Sequence, residues 1–146
     1  MAKDTIKMLV YGAPGVGKTV FSCSGYKTIF VDVEVGSLSV QSRIKSKKVV
    51  KKKFETFDEI EDFIRILHEK GSGKADTLVI DSVTELQKKL MDYIVESHPE
   101  VKRPYGDGLT VGDWGYNTER MRRFIRMARD LDMNVILTAL AMDEKN

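Results

Sequence analysis

At 146 residues the chain is long enough for one domain with a single buried core, and its 42% hydrophobic and 32% charged content is ordinary for a globular protein. No apolar run approaches the ~18 residues of a membrane span, and the first residues lack the charged-then-apolar pattern of a secretory signal. A formal net charge of +2 does not by itself imply a nucleic-acid partner, and the lone cysteine, Cys23, excludes an internal disulfide and suits a reducing cytoplasm.

In chain order, residues 6–11 form an apolar run that predicts a first strand. Gly12, Ala13, Pro14, Gly15, Val16, Gly17, Lys18 and Thr19 follow, a complete G-x-x-x-x-G-K-[ST] loop, and Val20 and Phe21 open the next helix. The glycines let backbone N–H groups curl around phosphates, aided by the helix N-terminus. Lys18 is placed to reach the β- and γ-phosphates and Thr19 to offer its hydroxyl to Mg²⁺. Gly12 to Val20 are therefore the nucleotide-binding candidates.

The first helix is predicted to end near Gly25, and residues 28–33 read as a buried strand with Asp32 and Glu34 at its C-terminal end. Residues 36–48 give a weak signal; Val49 and Val50, among lysines, suit a short strand. Phe57, Ile60, Phe63, Ile64 and Leu67 recur at helical spacing, predicting a helix over 57–70 that stops at Gly71-Ser-Gly73. Residues 77–81 form a short apolar strand closed by Asp81, and Ser82 with Glu85 reads as a capping box opening a helix. Val83, Leu86, Leu90 and Ile94 give that helix one apolar face, and His98-Pro99 ends it. A loop over 100–112 leads to a helix whose apolar stripe is read as Trp114, Met121, Phe124, Ile125, Ala128 and Leu131. Residues 134–140 form the last strand. Alternating strands and helices predict right-handed βαβ units: an α/β fold with a mostly parallel sheet covered on both faces.

A phosphate loop needs a second acid to help hold Mg²⁺. Asp81 fits, because it closes an apolar strand and ligands in such sheets bind beyond the strands' C-terminal ends. Hydrolysis also needs a group to orient or deprotonate water. Ser82, not a glutamate, follows Asp81, so Glu34 is the candidate, just past the strand of residues 28–33. Glu85 is assigned to the helix cap.

The segments Phe30-Val-Asp-Val-Glu34 and Leu78-Val-Ile-Asp-Ser-Val83 resemble the RecA-type strands that deliver a catalytic glutamate and a metal acid. Asp113-Trp-Gly-Tyr116 before a basic helix is similar to a feature of phage RecA-core P-loop ATPases of the nucleotide-binding and single-strand-annealing kind. The resemblance runs from Ile6 to about Leu140. It implies that Lys18 and Thr19 bind phosphate and Mg²⁺, that Asp81 supports the metal and that Glu34 activates water, with ATP as the nucleotide. Two departures accompany it. The polar sensor, usually glutamine, at the end of the last strand is missing, with Thr138 the only polar residue inside that strand, and further strands are expected where this chain stops. If the last strand inserts between the first and that of Asp81, residues 6–11 become an apolar sheet edge. A truncated form, or a chain that covers this edge by self-association or in a RecA-like oligomer, is expected.

Arg43, Lys45, Lys47, Lys48, Lys51, Lys52 and Lys53 form a cluster without an acid, suited to salt-sensitive binding of single-stranded DNA. A second basic set on the last helix includes Arg120, Arg122 and Arg126, and Tyr105, Trp114 or Tyr116 could stack on unpaired bases. Solvated lysines and ion-paired arginines are the competing readings. The leading expectation is a cytoplasmic Mg·ATP-hydrolysing RecA-like protein acting in DNA recombination or single-strand annealing. A nucleotide-binding interaction module with little hydrolysis is one alternative. A P-loop small-molecule kinase is the other, although the 99–112 loop, with only Lys102 and Arg103, makes a poor lid.

Overall fold

The computed structural model describes residues 4–25, 27–35, 37–103 and 108–141. Among these residues five strands alternate with helices: β1 (Lys7–Gly12), α1 (Lys18–Ser22), β2 (Thr28–Asp32), α2 (Gln41–Lys45), β3 (Val49–Lys52), α3 (Phe57–Lys70), β4 (Thr77–Asp81), α4 (Val83–Ser97), α5 (Val111–Arg129) and β5 (Asn134–Leu140). The sheet order is β1-β5-β4-β2-β3, and every pairing is parallel. The last strand thus lies between β1 and β4, and among the described residues β1 is an edge.

Side chains alternate across the sheet and divide the interior in two. Leu78 and Ile80 of β4 face α3, α4 and α5, joining Ile60, Ile64, Leu86, Leu90, Ile94 and Phe124 in the larger core. Val79 points the other way, with Phe30 and Val49, to meet Cys23, Val40 and Ile44. Removing each of these large side chains from water contributes about 2 kcal/mol. Burial, then the Asp81 charge, pushes the Cys23 thiol up to about 12, so this cysteine is an inert packing group.

The helices have legible starts. Thr56 accepts from the Glu59 N–H, 3.2 Å, and Asp58 and Glu59 occupy the first turn of α3 while His68 and Lys70 occupy its last. At α5, Thr110 and Asp113 form a full capping box, with bonds of 3.1 and 2.9 Å. This makes Asp113-Trp-Gly-Tyr116 part of the first turns of α5 rather than a segment before it. The box expected at Ser82 is only half made. Ser82 accepts from the Glu85 N–H, 3.2 Å, but the Glu85 carboxylate turns to Lys88, 3.0 Å away.

One weak stretch gains structure and one reading is corrected. The weak stretch over 36–48 contains a 3-10 turn at Ser37–Val40 and α2. Trp114 is not on the buried stripe of α5: it is 48% exposed, and Asp113 and Asn117 take the inward positions. These polar groups are accommodated because Arg103 lies 3.4 Å from the Asp113 carboxylate and Gln87 donates to Asn117, 3.0 Å. Ile125, also assigned to the stripe, is 39% exposed. Tyr105 lies outside the described residues.

Candidate functional site

The C-terminal ends of β1, β2, β4 and β5 meet at one end of the sheet, and a cleft of 770 Å³ opens there. Pro14, Gly15, Gly17, Lys18, Thr19 and Val20 line one wall, and Val33, Glu34, Val35, Ser39, Glu85 and Leu140 contribute the rest. The volume suits a nucleotide-sized ligand. Gly15 and Gly17 have φ of 78° and 95°, a left-handed backbone that side chains strain, so the loop's curl depends on glycine. The first N–H groups of α1 carry no side-chain cap, which leaves them for an anion.

The loop's remaining members do different work. The Lys18 ammonium donates to the carbonyl oxygens of Gly12 and Ala13, 3.0 and 2.9 Å away, which holds it across the loop. Val16 points outward, 62% exposed, so Gly12, Ala13 and Val16 shape the loop without lining the cleft.

Asp81 sits beneath Thr19, almost fully buried. The Thr19 hydroxyl donates to one carboxylate oxygen, 2.7 Å, and the Thr138 hydroxyl donates to the other, 2.6 Å. The parallel register of β4 and β5 places these two side chains together, since Ile80 pairs with Leu137 one residue earlier. Thr138 is itself fully buried, so it clamps Asp81 rather than facing the cleft as a sensor would. Its signal in the sequence was a single polar residue inside an apolar strand.

Glu34 is delivered by the backbone. The Asp81 carbonyl accepts from the N–H groups of both Val33 and Glu34, 2.7 and 3.1 Å, which folds the end of β2 over the end of β4. Val35 then turns with φ 60°, a costly conformation for a β-branched residue and the sort of local strain found at functional sites. The Ser82 hydroxyl donates to the Glu34 carboxylate, a contact that sequence reasoning had passed over in reading Ser82 as a cap alone. Glu85, assigned only to that cap, also reaches the cleft wall.

A hard divalent cation suits this set. Mg²⁺ takes one or two carboxylates with phosphate oxygens and waters, not an all-protein cage. Among the described residues no group of three or more His, Cys, Asp or Glu gathers as a metal cage, whereas the Thr19 hydroxyl and Asp81 carboxylate adjoin at the cleft floor.

The basic candidates separate. Arg43 donates to the carbonyls of Cys23, Ser24 and Gly25, 2.8, 2.8 and 2.6 Å away, closing the end of α1. Arg120 packs over the Phe57 ring and pairs with Asp58 and Glu61, 3.1 and 3.3 Å. Burial alone would lower its pKa, but bonds to Tyr116 and Asp58 and the Glu61 charge hold it above the ordinary value. Both arginines are structural. Arg122 is exposed and lies 3.6 Å from Glu119, while Arg126 is exposed on the same helix. Lys47, Lys48, Lys51, Lys52 and Lys53 are all exposed, around and along the edge strand β3. No described helix is long and apolar enough to cross a membrane.

Among solved structures, the chain is similar to that of the RadB recombinase at 17% sequence identity, with a TM-score of 0.56 over 97% of this chain and 64% of that one. It therefore shares that fold while spanning less than two thirds of that protein's length. No curated protein matches the sequence. The fold is a RecA-like P-loop NTPase fold, and a family model described as an AAA domain matches residues 4–146. The chain belongs to that AAA-domain family.

Proposed function

We propose that this chain is a Mg²⁺-dependent ATPase that works in DNA recombination, in single-stranded DNA transactions of the phage annealing type. The observation that carries the reading is the meeting of Lys18, Thr19 and Glu34 on one 770 Å³ cleft, with Asp81 bonded to Thr19 beneath it. The phosphate loop and Lys18 bind the β- and γ-phosphates, and Thr19 with Asp81 would hold Mg²⁺. The metal, when bound, neutralises charge on the phosphate oxygens. Lys18 stabilises the charge that spreads over the γ-phosphoryl oxygens as it departs. Glu34 accepts the proton of, or orients, the attacking water. Thr138 keeps the Asp81 carboxylate aligned from behind.

Recombination and DNA are supported by the likeness to a protein named as a recombinase and by the exposed lysines around β3. Phosphate release, measured with and without single-stranded DNA across a salt series, tests the whole reading. DNA-stimulated release is expected; no release under any condition, with ATP still bound, would contradict it. A second reading, a nucleotide-binding module with little turnover, is favoured by one observation: Ser82 engages the carboxylate that would activate water.

Self-association is part of the proposal. Leu9 and Tyr11 of β1 are 57% and 72% exposed on a parallel edge strand, a template for pairing with another strand. Leu9→Lys is expected to shift the protein towards monomer in sedimentation velocity while leaving nucleotide binding unchanged. An unshifted distribution, or a wild type that is monomeric and fully stable without nucleotide, would remove this edge from the account.

A further inference from the structure

The opposite end of the sheet carries a different surface. A groove of 280 Å³ runs along the N-terminal ends of β2, β3 and β4, lined by Lys27, Thr28, Ile29, Lys47, Lys48, Val50, Lys74 and Ala75. Four of the eight described lining residues are lysines, and none of the eight is acidic. Lys27 and Lys74 come from loops far in sequence from the 43–53 cluster, so only the fold brings the four together. A neighbouring depression shares Lys27 and Lys74 with the groove and also holds Asp76 and Asp132, of which Asp76 accepts from the Thr77 hydroxyl, 3.0 Å.

We propose that this groove seats the phosphodiester backbone of single-stranded nucleic acid, at a site separate from the nucleotide cleft. Four ammonium groups around a channel whose described lining holds no acid match a polyanion. Between them Ile29, Val50 and Ala75 give an apolar floor against which sugar and base edges pack. The strand register puts Val50 beside Ile29, and Lys52 lies two residues further on the same face, which extends the track along the open edge of the sheet. Among the described residues no aromatic side chain lines the groove, and binding there is dominated by charge. A flexible single strand follows a channel this small, whereas a rigid convex duplex meets only its rim. The two sites lie at opposite ends of β2, about 15 Å apart along the strand, so both can be filled at once.

The choice of polymer rests on the reading of the chain as a DNA-acting ATPase, but the binding itself requires no nucleotide, and the test is arranged accordingly. Fluorescence anisotropy of a labelled oligothymidine is measured without ATP from about 50 to 200 mM salt. Four single-strand phosphate contacts predict a log–log slope of about −3 and an affinity loss of about fiftyfold across that range. Lys47→Gln/Lys74→Gln is expected to lower affinity at least tenfold at low salt and to flatten the slope by about 1.4. The double variant should keep the wild-type melting temperature and ATP affinity, and Lys18→Ala should bind oligothymidine as the wild type does. An unchanged slope in the double variant would overturn the proposal, as would equal competition by poly-glutamate or preferential binding of duplex. If oligothymidine binding behaves as stated while phosphate release is absent, the groove stands and the ATPase reading falls.

Discussion

The two ends of this sheet carry different chemistry. At the C-terminal end the chemistry is interlocked: Thr19 and Thr138 grip the two oxygens of Asp81, Ser82 engages Glu34, and Lys18 spans its own loop. At the N-terminal end, lysines stand around an open groove. An interlocked site is sensitive to residues that would touch no ligand, because a displaced carboxylate or hydroxyl loses its geometry. An open basic surface responds to charge and salt, and tolerates changes of shape.

That contrast can be tested from its strongest point downward. Lys18→Ala removes the cation at the centre of the interlocked end, and kcat/KM for ATP is expected to fall about a thousandfold; steady-state phosphate release measures it. Thr138→Val sharpens the contrast, since the valine keeps the shape but leaves one Asp81 oxygen without its 2.6 Å bond. The Mg²⁺ concentration for half-maximal ATP turnover is expected to rise about tenfold or more, with a lower melting temperature from the unsatisfied carboxylate. An unchanged Mg²⁺ requirement would mean that Asp81 needs no support from β5. Lys74→Gln, at the open end, is expected to change stability by less than about 0.5 kcal/mol and to leave DNA-free turnover unaltered. Thermal unfolding and phosphate release check this, and a loss of basal turnover would show that the two ends are coupled.

Much of this layout was legible before folding because it is written locally. The phosphate loop is contiguous, α3 and β4 have the bounds that apolar periodicity and the Gly71-Ser-Gly73 stop imply, and Asp81 closes its strand as expected. The edge position of β1 followed from the expected insertion of β5. Less legible were features made by residues distant in sequence. Thr138 reads as a missing sensor until β5 lies against β4, and Ser82 reads as a cap until the Asp81 carbonyl draws Glu34 to it. Trp114 was misplaced because periodicity counts apolar residues, whereas the inward positions of α5 include Asp113 and Asn117, satisfied by Arg103 and Gln87. Arg43 and Arg120 were read with the basic surfaces, and their carbonyl and carboxylate partners lie on other elements. The lysine groove joins three loops, so only half of its cations fell inside the sequence cluster.

The central claim is that Glu34 turns a phosphate-binding cleft into a hydrolytic one. It is tested most directly by Glu34→Gln, which keeps the size and the hydrogen bond to Ser82 while removing the base. Nucleotide affinity is measured by equilibrium titration and phosphate release in a single turnover. The account predicts unchanged ATP affinity with hydrolysis slowed by about 10² to 10⁴. Hydrolysis at the wild-type rate with ATP bound would contradict it.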